Sequence, residues 1–388
     1  MNNFKYWNPA KIIFGMDSEK EIGKLLAQHH VKSLLLVYSG EFIKEIGIWS
    51  TVVQACEKSG IAFFESGDVV PNPKVELVRE LTALGKKENI DFVLAVGGGS
   101  AIDTAKAVAV GIPHDGDVWD FFDGSASITS AIPVGVISTL PASGSETSNC
   151  SIISNGVLKR GIEDDLIIPR FAIMNPSFTL SLPSYQTSCG IADILSHLLE
   201  RYFTSVEHVD TTDFLIEGAI KALMLNAGRL MDDPSNYHAR AEVQWLASIA
   251  HNNLLDTGRT ADWASHRIEH ELSAQYGITH GEGMAIVFVA WTKYMAKIKP
   301  CKLAQLANRV FGVDYHDYLE EQMALQLSKK LEDFFKMLNL KTSLKQMDIT
   351  DKHFMEMSKR ATNNGASTIG HYVQLGAEDM VDILYLAY

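Results

Sequence analysis

Short apolar runs alternate with amphipathic stretches through the first half of the chain. The runs that predict buried β-strands are Ser33–Tyr38, Ile61–Glu65, Asp91–Val96, Pro133–Ser138 and Ala172–Asn175. Apolar residues at three-to-four spacing predict helices over about residues 74–88 and 101–110. Strands that alternate with helices are typical of a mostly parallel sheet with helices on both faces, so this half is predicted to be an α/β domain.

The pattern changes after about Ser184, where strand signals nearly vanish. Apolar residues recur every three to four positions in Gly190–Phe203, Asp213–Asn226, Arg240–Leu254 and Met323–Met337. These stretches predict a helical bundle. The predicted fold class is therefore α/β plus all-α, with an α/β domain over residues 1–183 and a helical domain over residues 184–388.

Composition narrows the class of protein. The 388 residues, 46% of them hydrophobic, are enough for two cores. The formal net charge of −13 excludes the overall basic surface of a nucleic-acid-binding protein. The four cysteines are widely separated, which disfavours a disulfide framework or a thiolate zinc site. The first residues lack the pattern of a secretion signal, and no apolar stretch has the length of a membrane helix. We expect a cytoplasmic protein with no nucleic-acid or membrane partner.

A glycine-rich turn, Gly97-Gly98-Gly99-Ser100, directly follows the predicted strand Asp91–Val96. Glycines let a backbone approach a phosphate closely, and the N-terminus of the next helix offers N–H groups and a positive dipole end. Asp103 is expected in the first turn of that helix, where it could cap the helix or approach a ribose or a nicotinamide. The turn differs from the G-x-G-x-x-G fingerprint, so a tight turn without a ligand stays open beside phosphate binding.

A second loop, Thr139–Thr147 (TLPASGSET), is rich in small and hydroxyl residues and follows the predicted strand Pro133–Ser138. Ligands bind at the carboxyl ends of strands in open α/β sheets, which makes this loop a second candidate for a binding site. An ordinary Ser/Gly loop would have the same composition.

Five residues in the helical half have the side chains and spacing of a metal site. Asp193 and His197 are four residues apart in a predicted helix and so share one face. His266 and His270 have the same spacing, and His280 follows them. A carboxylate with several imidazoles suits Zn²⁺ or Fe²⁺. The chain has 13 histidines, so surface or capping roles stay open, and spacing alone does not choose between His266 and His270 as a ligand.

Taken in order, these motifs resemble the iron-containing alcohol dehydrogenase family, especially its butanol dehydrogenase and broad-range aldehyde reductase branch. The segments that carry the resemblance are Pro9–Gly15, Pro71–Pro73, Gly97–Lys106, Thr139–Glu146, Gly190–Glu200, His266–Leu272 and His280-Gly281. Several ordered motifs at matching separations make the resemblance specific, and the last hundred residues add little to it.

The resemblance implies a Rossmann-like, dinucleotide-binding domain over residues 1–183. It implies a helical metal-binding and substrate domain over residues 184–388, in a dehydroquinate synthase-like architecture with the site in the cleft between the domains. The implied ligands of one divalent metal, Fe²⁺ or Zn²⁺, are Asp193, His197, His266 and His280. His270 is implied to lie close to the nicotinamide as a proton relay.

The implied cofactor residues are Ser39, Gly40, Lys44, Gly97, Gly98, Gly99, Ser100, Asp103, Thr139, Leu140, Ser143, Ser145 and Lys159. Asp103 is implied to lie near the nicotinamide ribose or carboxamide, and we group it with His270 as catalytic. Such an enzyme would transfer a hydride between NAD(P)(H) and a small primary alcohol or aldehyde, with the metal as a Lewis acid on the substrate oxygen.

The segment after the first strand bears on the choice between NADH and NADPH. Relatives that prefer NADH tend to carry an Asp at the position of Gly40, where it would repel a 2′-phosphate. Gly40 removes that repulsion, and Ser39 and Lys44 could help to hold the phosphate, whereas Glu41 argues the other way. We expect a preference for NADP(H) over NAD(H).

Other functions fit the same architecture. Glycerol dehydrogenases and dehydroquinate synthases share it, but the synthase, a lyase, uses a site rich in Lys and Arg, and only Arg267 accompanies the metal motifs here. A metal- or nucleotide-binding regulator that has lost catalysis is disfavoured because all four implied ligands are present. The resemblance also suggests a homodimer, formed partly by edge-strand pairing near the N-terminus.

Overall fold

The computed structural model describes residues 1–315 and 319–388, which divide into two compact units. The α/β unit consists of Trp7–Leu182 and Ser235–Asn252. The helical unit consists of Met1–Tyr6, Pro183–Pro234 and Asn253–Tyr388. The chain passes from the α/β unit to the helical unit between Leu182 and Pro183, whereas the first six residues belong to the helical unit and residues 235–252 to the α/β unit.

The α/β unit contains every strand assigned in the described residues. The strands are β1 (Lys11–Phe14), β2 (Ser33–Tyr38), β3 (Ala62–Ser66), β4 (Phe92–Gly97), β5 (Val134–Ser138), β6 (Cys150–Asn155), β7 (Leu158–Glu163) and β8 (Phe171–Met174). The first helices of the chain are α1 (Ile22–Gln28), α2 (Phe42–Glu45), α3 (Ile48–Ser59), α4 (Val75–Lys87), α5 (Gly99–Gly111) and α6 (Trp119–Asp123).

Six strands form one parallel sheet in the order β1-β8-β5-β4-β2-β3, and β6 and β7 form a separate antiparallel hairpin. Alternate residues of β2 enter different cores: Leu34 and Leu36 pack in one cluster, and Leu35 and Val37 pack in another. The sheet is therefore covered on both faces, which confirms the predicted α/β architecture. The five predicted strands match observed strands to within one residue, whereas β1, β6 and β7 were not predicted.

The second half of the chain is helical, as predicted. Its helices are α7 (Ser184–Tyr202), α8 (Asp210–Asp232), α9 (Tyr237–His251), α10 (Ala264–Tyr276), α11 (His280–Ile298), α12 (Cys301–Arg309), α13 (Glu320–Met337), α14 (Phe354–Ala361) and α15 (Ala377–Ala387). α9 belongs to the α/β unit and the others to the helical unit. α9 ends three residues before the predicted end, because Asn253 adopts a left-handed φ of +66°. Within the described ranges, no helix is long and apolar enough to cross a membrane.

Candidate active site

The glycine-rich turn joins β4 to α5 at the carboxyl edge of the sheet. Gly97 ends β4 with φ +152°, which L side chains rarely adopt. A Cβ on Gly99 would lie 2.6 Å from the hydroxyl oxygen of Ser143, and one on Gly98 would lie 3.1 Å from Cβ of Leu140. α5 begins at Gly99 with no acidic residue in its first turn. Its N-terminal N–H groups and positive dipole end are therefore suited to an anion such as a phosphate.

The second candidate loop, residues 139–147, packs against α9. Nδ1 of His251 lies 2.6 Å from the carbonyl oxygen of Ser143. Gly144 has φ +65°, and a Cβ there would lie 2.4 Å from the carbonyl oxygen of Ala247. These contacts explain why α9 belongs to the α/β unit although helices of the other unit precede and follow it in the sequence.

Asp103 and Lys106 connect α5 to this loop. The Ser145 hydroxyl donates to one carboxylate oxygen of Asp103 at 2.7 Å, and the backbone N–H of Ile152 donates to the other at 3.1 Å. The fully buried Lys106 ammonium donates to the Ser145 hydroxyl at 2.9 Å and to two backbone carbonyl oxygens beyond it. Burial raises the pKa of Asp103 and lowers the pKa of Lys106 to about 8.

The position of Asp103 differs from the one expected. It lies in the second turn of α5 and not in the first, so it does not cap the helix. Both of its oxygens accept hydrogen bonds, one from Ser145 and one from the backbone of β6. Its carboxylate therefore holds the loop and the hairpin against α5.

Ser39, Gly40 and Lys44 follow the carboxyl end of β2, which neighbours β4 in the sheet. The hydroxyl oxygen of Ser39 lies 3.6 Å from the position of a Cβ on Gly97, so this segment borders the glycine-rich turn. Gly40 has φ +66°. Nζ of Lys44 lies 2.8 Å from a carboxylate oxygen of Glu41, and both side chains are exposed.

The remaining expected cofactor residues lie near the same turn. Ser100 is the second residue of α5, and the backbone N–H of Thr139 donates to the carbonyl of Gly97 at 3.0 Å. Lys159 lies on β7 opposite Ser154, and its positive charge acts on the Asp103 carboxylate. The structure thus gathers these residues around the carboxyl ends of β2, β4 and β5 and the adjoining hairpin.

Three helices bring the expected metal ligands together. Asp193 and His197 lie on α7, His266 lies on α10, and His280 begins α11. Oδ1 of Asp193 lies 3.7 Å from Nδ1 of His197 and 3.5 Å from Nε2 of His280. Ligand atoms of Asp193, His266 and His280 lie within 4.8 Å of one another. The ring of His197 stacks on that of His266 with centroids 4.9 Å apart, so the four side chains form one cluster, here called the histidine cluster.

His270 lies beside this cluster on α10. Its ring centroid is 5.7 Å from that of His280 and 6.3 Å from that of His266. His270 is half-buried, whereas His266 is only 5% exposed. The two histidines that sequence spacing left undistinguished therefore have different surroundings, with His266 inside the cluster and His270 at its edge.

The chemistry of the donors fits a divalent ion. Nε2 of His266 is buried and has no hydrogen-bond partner in the part of the chain that the structure describes. Burial, with the nearby His280, lowers the pKa of His266 to about 3, so its imidazole is neutral and keeps a lone pair for coordination. A buried nitrogen of this kind is costly unless an ion or water binds it. One carboxylate and three imidazoles suit Fe²⁺ or Zn²⁺.

Two buried carboxylates that sequence reasoning did not single out support the cluster. Glu200 accepts a hydrogen bond from Nδ1 of His266 at 2.8 Å, and Glu269 accepts one from Nδ1 of His280. Burial raises the pKa of Glu200, whereas the backbone N–H groups of His266 and Trp263, which donate to it, act in the opposite direction. The helical period contained a signal for both: Glu200 lies three residues after His197, and Glu269 lies three residues after His266, on the same helix faces.

Gly281 sets the approach of α11 to α7. A Cβ at this position would lie 2.0 Å from the carbonyl oxygen of Cys189 and 2.8 Å from its Cα. These are backbone atoms and cannot move aside as a side chain can. Gly281 adjoins His280, and Cys189 lies one helical turn before Asp193, so the glycine fixes the spacing between two of the expected ligands.

Two family models together match most of the chain. The model described as iron-containing alcohol dehydrogenase matches residues 9–176. The model described as the C-terminal part of the Fe-containing alcohol dehydrogenase family matches residues 187–388. The first match contains the glycine-rich turn and the second contains the histidine cluster.

Named relatives match over nearly their full length. A probable NADH-dependent butanol dehydrogenase 1 of Bacillus subtilis is 37% identical over 386 residues, which is 99% of each chain. The NADPH-dependent aldehyde reductase YqhD of Escherichia coli is 31% identical over 95% of each chain. The crystal structure of an NADH-dependent butanol dehydrogenase A from Thermotoga maritima superposes with a TM-score of 0.95 at 35% identity, covering 100% of this chain and 99% of the other.

Proposed function

This chain belongs to the iron-containing alcohol dehydrogenase family, and from that membership we propose that butanal-like small primary aldehydes and the corresponding alcohols are its substrates. The chain is an NAD(P)-dependent alcohol dehydrogenase or aldehyde reductase, in keeping with relatives of 31–37% identity. The names of its butanol dehydrogenase relatives support the substrate class. The observation that carries the proposal is the meeting of Asp193, His266 and His280, because this donor set suits a Lewis-acidic ion.

The proposed ligands are Asp193, His197, His266 and His280, and the proposed ion is Fe²⁺ or Zn²⁺. When bound, the ion supplies Lewis acidity at the substrate oxygen, and the nicotinamide supplies or accepts the hydride. The burial of Asp193, His197 and His266 keeps bulk water away from these groups. A ring nitrogen of the half-buried His270 passes the hydroxyl proton between substrate and solvent.

In the α/β unit, the backbone of Gly97–Ser100 is proposed to hold the cofactor pyrophosphate at the N-terminus of α5. Thr139, Leu140, Ser143, Ser145 and Lys159 are proposed to line the rest of the cofactor site. We assign Asp103 to positioning and not to proton transfer, because both carboxylate oxygens are already engaged.

We propose a preference for NADP(H), based on the segment after β2. Gly40 offers no carboxylate to repel a 2′-phosphate, and Ser39 borders the glycine-rich turn. Lys44 would have to leave Glu41, but this pair is exposed and therefore screened by solvent and salt, so this costs little. In the test, kcat/KM is compared for NADPH and NADH in the wild type and in Gly40→Asp. We expect NADPH to be favoured and the variant to shift towards NADH; a wild type that favours NADH contradicts the proposal.

We also propose that the enzyme is a homodimer paired through β1, an edge strand of the sheet. Phe14 of β1 and Trp245 of α9 are 42% and 40% exposed and pack edge to face, which leaves an apolar surface beside this edge. The N–H groups of Lys11 and Gly15 face the neighbouring β8, so the N–H of Ile12 faces outward. Ile12→Pro removes that outward donor and should yield monomers by light scattering. A dimer that survives this change is formed elsewhere.

The first test of the function follows the absorbance of reduced nicotinamide with purified protein and butanal. NADPH and NADH are compared, before and after removal of metal by a chelator. We expect oxidation of the cofactor that is lost with the metal and restored by Zn²⁺ or Fe²⁺. No oxidation under any condition, with metal shown to be bound, would exclude butanal-like aldehydes as substrates.

A further inference from the structure

We propose that Glu200 and Glu269 are positioning residues of the metal centre, which fix the rings of His266 and His280 with Nε2 available to the ion. This proposal rests on the ligand set proposed above, and it adds two residues that hold two of those ligands in position. Neither carboxylate is a ligand in the proposal. Each acts through the histidine to which it is hydrogen-bonded, and each comes from a helix that also carries a proposed ligand.

The bond between Glu269 and His280 selects one tautomer of the ring. Glu269 is fully buried, and its Oε2 accepts from Nδ1 of His280. A carboxylate is acceptor-only, so the ring proton lies on Nδ1, and Nε2 keeps its lone pair. That Nε2 lies 3.5 Å from Oδ1 of Asp193, on the side of the other donors. Metal-bound histidines commonly donate their second N–H to a carboxylate in this way.

Glu200 has the same relation to His266 and a second role at the start of α10. Its Oε1 accepts from Nδ1 of His266 at 2.8 Å and from the backbone N–H of the same residue at 2.9 Å. Its Oε2 accepts from the backbone N–H of Trp263 at 2.6 Å. One side chain thus caps the first turn of the helix and orients the ring, and the described residues provide no hydrogen-bond partner for the buried Nε2 of His266.

The space around Glu269 is shaped to hold it in one place. Its Oε1 accepts from the hydroxyl of Ser273, one helical turn later on α10. A Cβ on Gly283 would lie 2.7 Å from that Oε1 and 2.8 Å from Cγ of Glu269. Gly283 lies three residues after His280, on the same side of α11. The helix that provides the ligand therefore also leaves the space for the carboxylate that orients it.

A different role for Glu269 is geometrically conceivable, because its ligand atom lies within 4.8 Å of those of His270 and His280. As a ligand, however, Glu269 would have to leave both Ser273 and His280, since its two oxygens are bonded to them. Substitutions at Glu269 separate these roles. Glutamine keeps a carbonyl oxygen that accepts from Nδ1 of His280, whereas it is a poor replacement for an anionic ligand.

The experiment measures Zn²⁺ affinity of the metal-free, full-length protein against a competing chelator. The variants are Glu269→Gln, Glu269→Ala, Glu200→Gln and Glu200→Ala, with His266→Ala and His280→Ala as the ligand references. We expect Glu269→Ala and Glu200→Ala each to weaken binding roughly 10–100-fold, the range typical of outer-shell partners, and glutamine at either position to restore part of that loss. Glu217→Gln is the matched control, because Glu217 is a buried carboxylate of the same unit that is bonded to Tyr202 and Arg309. Its metal affinity should equal that of the wild type.

The outcomes distinguish this inference from the proposed ligand set. If His266→Ala binds Zn²⁺ as tightly as the wild type, the ligand set itself is wrong. If His266→Ala loses binding while Glu269→Ala and Glu200→Ala bind like the wild type, only the positioning roles are overturned. If Glu269→Gln and Glu269→Ala both lose as much as His280→Ala, Glu269 is a ligand and not a positioning residue. Should Glu269→Ala fail to fold by circular dichroism, the glutamine variants carry the decision.

Discussion

The candidate cofactor site of the α/β unit and the candidate metal site of the helical unit are built in different ways. In the α/β unit, the candidate cofactor site is shaped by backbone: Gly98 and Gly99 approach the loop after β5 so closely that a Cβ would contact Leu140 or Ser143. In the helical unit, the candidate metal site is made of side chains, and two of them, His266 and His280, donate Nδ1–H to buried carboxylates. Adding one carbon should therefore damage the first site, and removing a hydrogen bond should damage the second. The following predictions test how far that contrast holds.

The largest effect is expected at Gly281, where the helical unit, too, requires two backbone segments to lie very close together. Gly281→Ala places a Cβ against the backbone of Cys189, which forces the start of α11 away from α7. His280 moves with it, away from Asp193. We expect Zn²⁺ affinity to fall by more than about 100-fold, beyond the usual loss of an outer-shell partner, with overpacking costing about 1–3 kcal/mol of stability.

Gly218→Ala is the control for this change, since it is the same substitution in an exposed part of α8. No described atom outside that helix's own backbone lies within 4 Å of a Cβ at Gly218, so alanine should stabilise the helix by about 0.5–1 kcal/mol and leave metal affinity unchanged. Equal metal affinity for Gly281→Ala and Gly218→Ala would show that the approach at Gly281 does not set the ligand spacing.

The next largest effect is expected at Lys106, because the candidate cofactor site is shaped by backbone but also depends on this side chain. Lys106→Met leaves the Ser145 hydroxyl and two carbonyl oxygens without their buried donor, and it removes the positive charge that most lowers the pKa of Asp103. We expect a loss of about 3–5 kcal/mol in the free energy of unfolding and a raised KM for the cofactor. Urea unfolding and cofactor titration measure the two. A variant of native stability would mean that the loop holds its shape without the ammonium.

A smaller and more selective effect is expected at the glycine-rich turn. Gly99→Ala places its Cβ 2.6 Å from the hydroxyl oxygen of Ser143, which can rotate away in part. We expect KM for the nicotinamide cofactor to rise about tenfold, equivalent to about 1.4 kcal/mol, with Zn²⁺ affinity unchanged. Steady-state kinetics with a fixed aldehyde concentration and a separate metal titration check both parts. If Zn²⁺ affinity fell as well, the candidate cofactor site and the candidate metal site would not be independent of each other.

The smallest effect is expected at the amino ends of β4 and β8, far along the sheet from the glycine-rich turn. His29 lies 5.8 Å from the ring centroids of both Phe92 and Phe171. Burial, and then the positive charge of Arg170, lower the pKa of His29 below 6.5. The folded state thus binds fewer protons than the unfolded state just below pH 6.5. The free energy of unfolding therefore falls as the pH is lowered from about 6.5 towards the pKa of His29 in the folded protein, and His29 causes no loss above about pH 6.5.

His29→Gln should remove this part of the pH dependence. The measurement is the free energy of unfolding at several pH values for both metal-free proteins, taken as a difference because the other histidines titrate in both. A difference that stays constant from neutral to mildly acidic pH would exclude His29 as a contributor.

Buried parallel strands were predictable because both of their faces lie in a core, so their sequences are continuous apolar runs. β1 is four residues long and only half-buried, and the hairpin of β6 and β7 mixes apolar with charged residues. Neither has the length or period that marks a strand in sequence. The place of α9 in the α/β unit was not predictable from order along the chain, because it depends on contacts such as that between His251 and Ser143.

The prediction of candidate site residues was limited in the same way, because contacts between segments distant along the chain are not visible in the sequence. Asp193, His197 and the later histidines were identified by spacing together with the family resemblance, and the structure brings them to one cluster. Glu200 and Glu269 lie within the segments Gly190–Glu200 and His266–Leu272, but the sequence predicted no role for them, because a carboxylate three residues from a histidine is common on solvated helices. What distinguishes these two is full burial, and burial follows from packing between helices distant in sequence.

The contact between α9 and the loop of residues 139–147 also determines when the α/β unit can be completed during synthesis. Ser143 and His251 are 108 residues apart, and a ribosome that adds roughly 5–20 residues per second needs on the order of 5–20 s to cover that distance. Until then the nascent α/β unit lacks the helix that closes its loop, while α7 and α8 of the other unit have already emerged. The α/β unit therefore cannot be completed before α9 has been synthesised, and a fragment that ends at residue 183 would lack this helix.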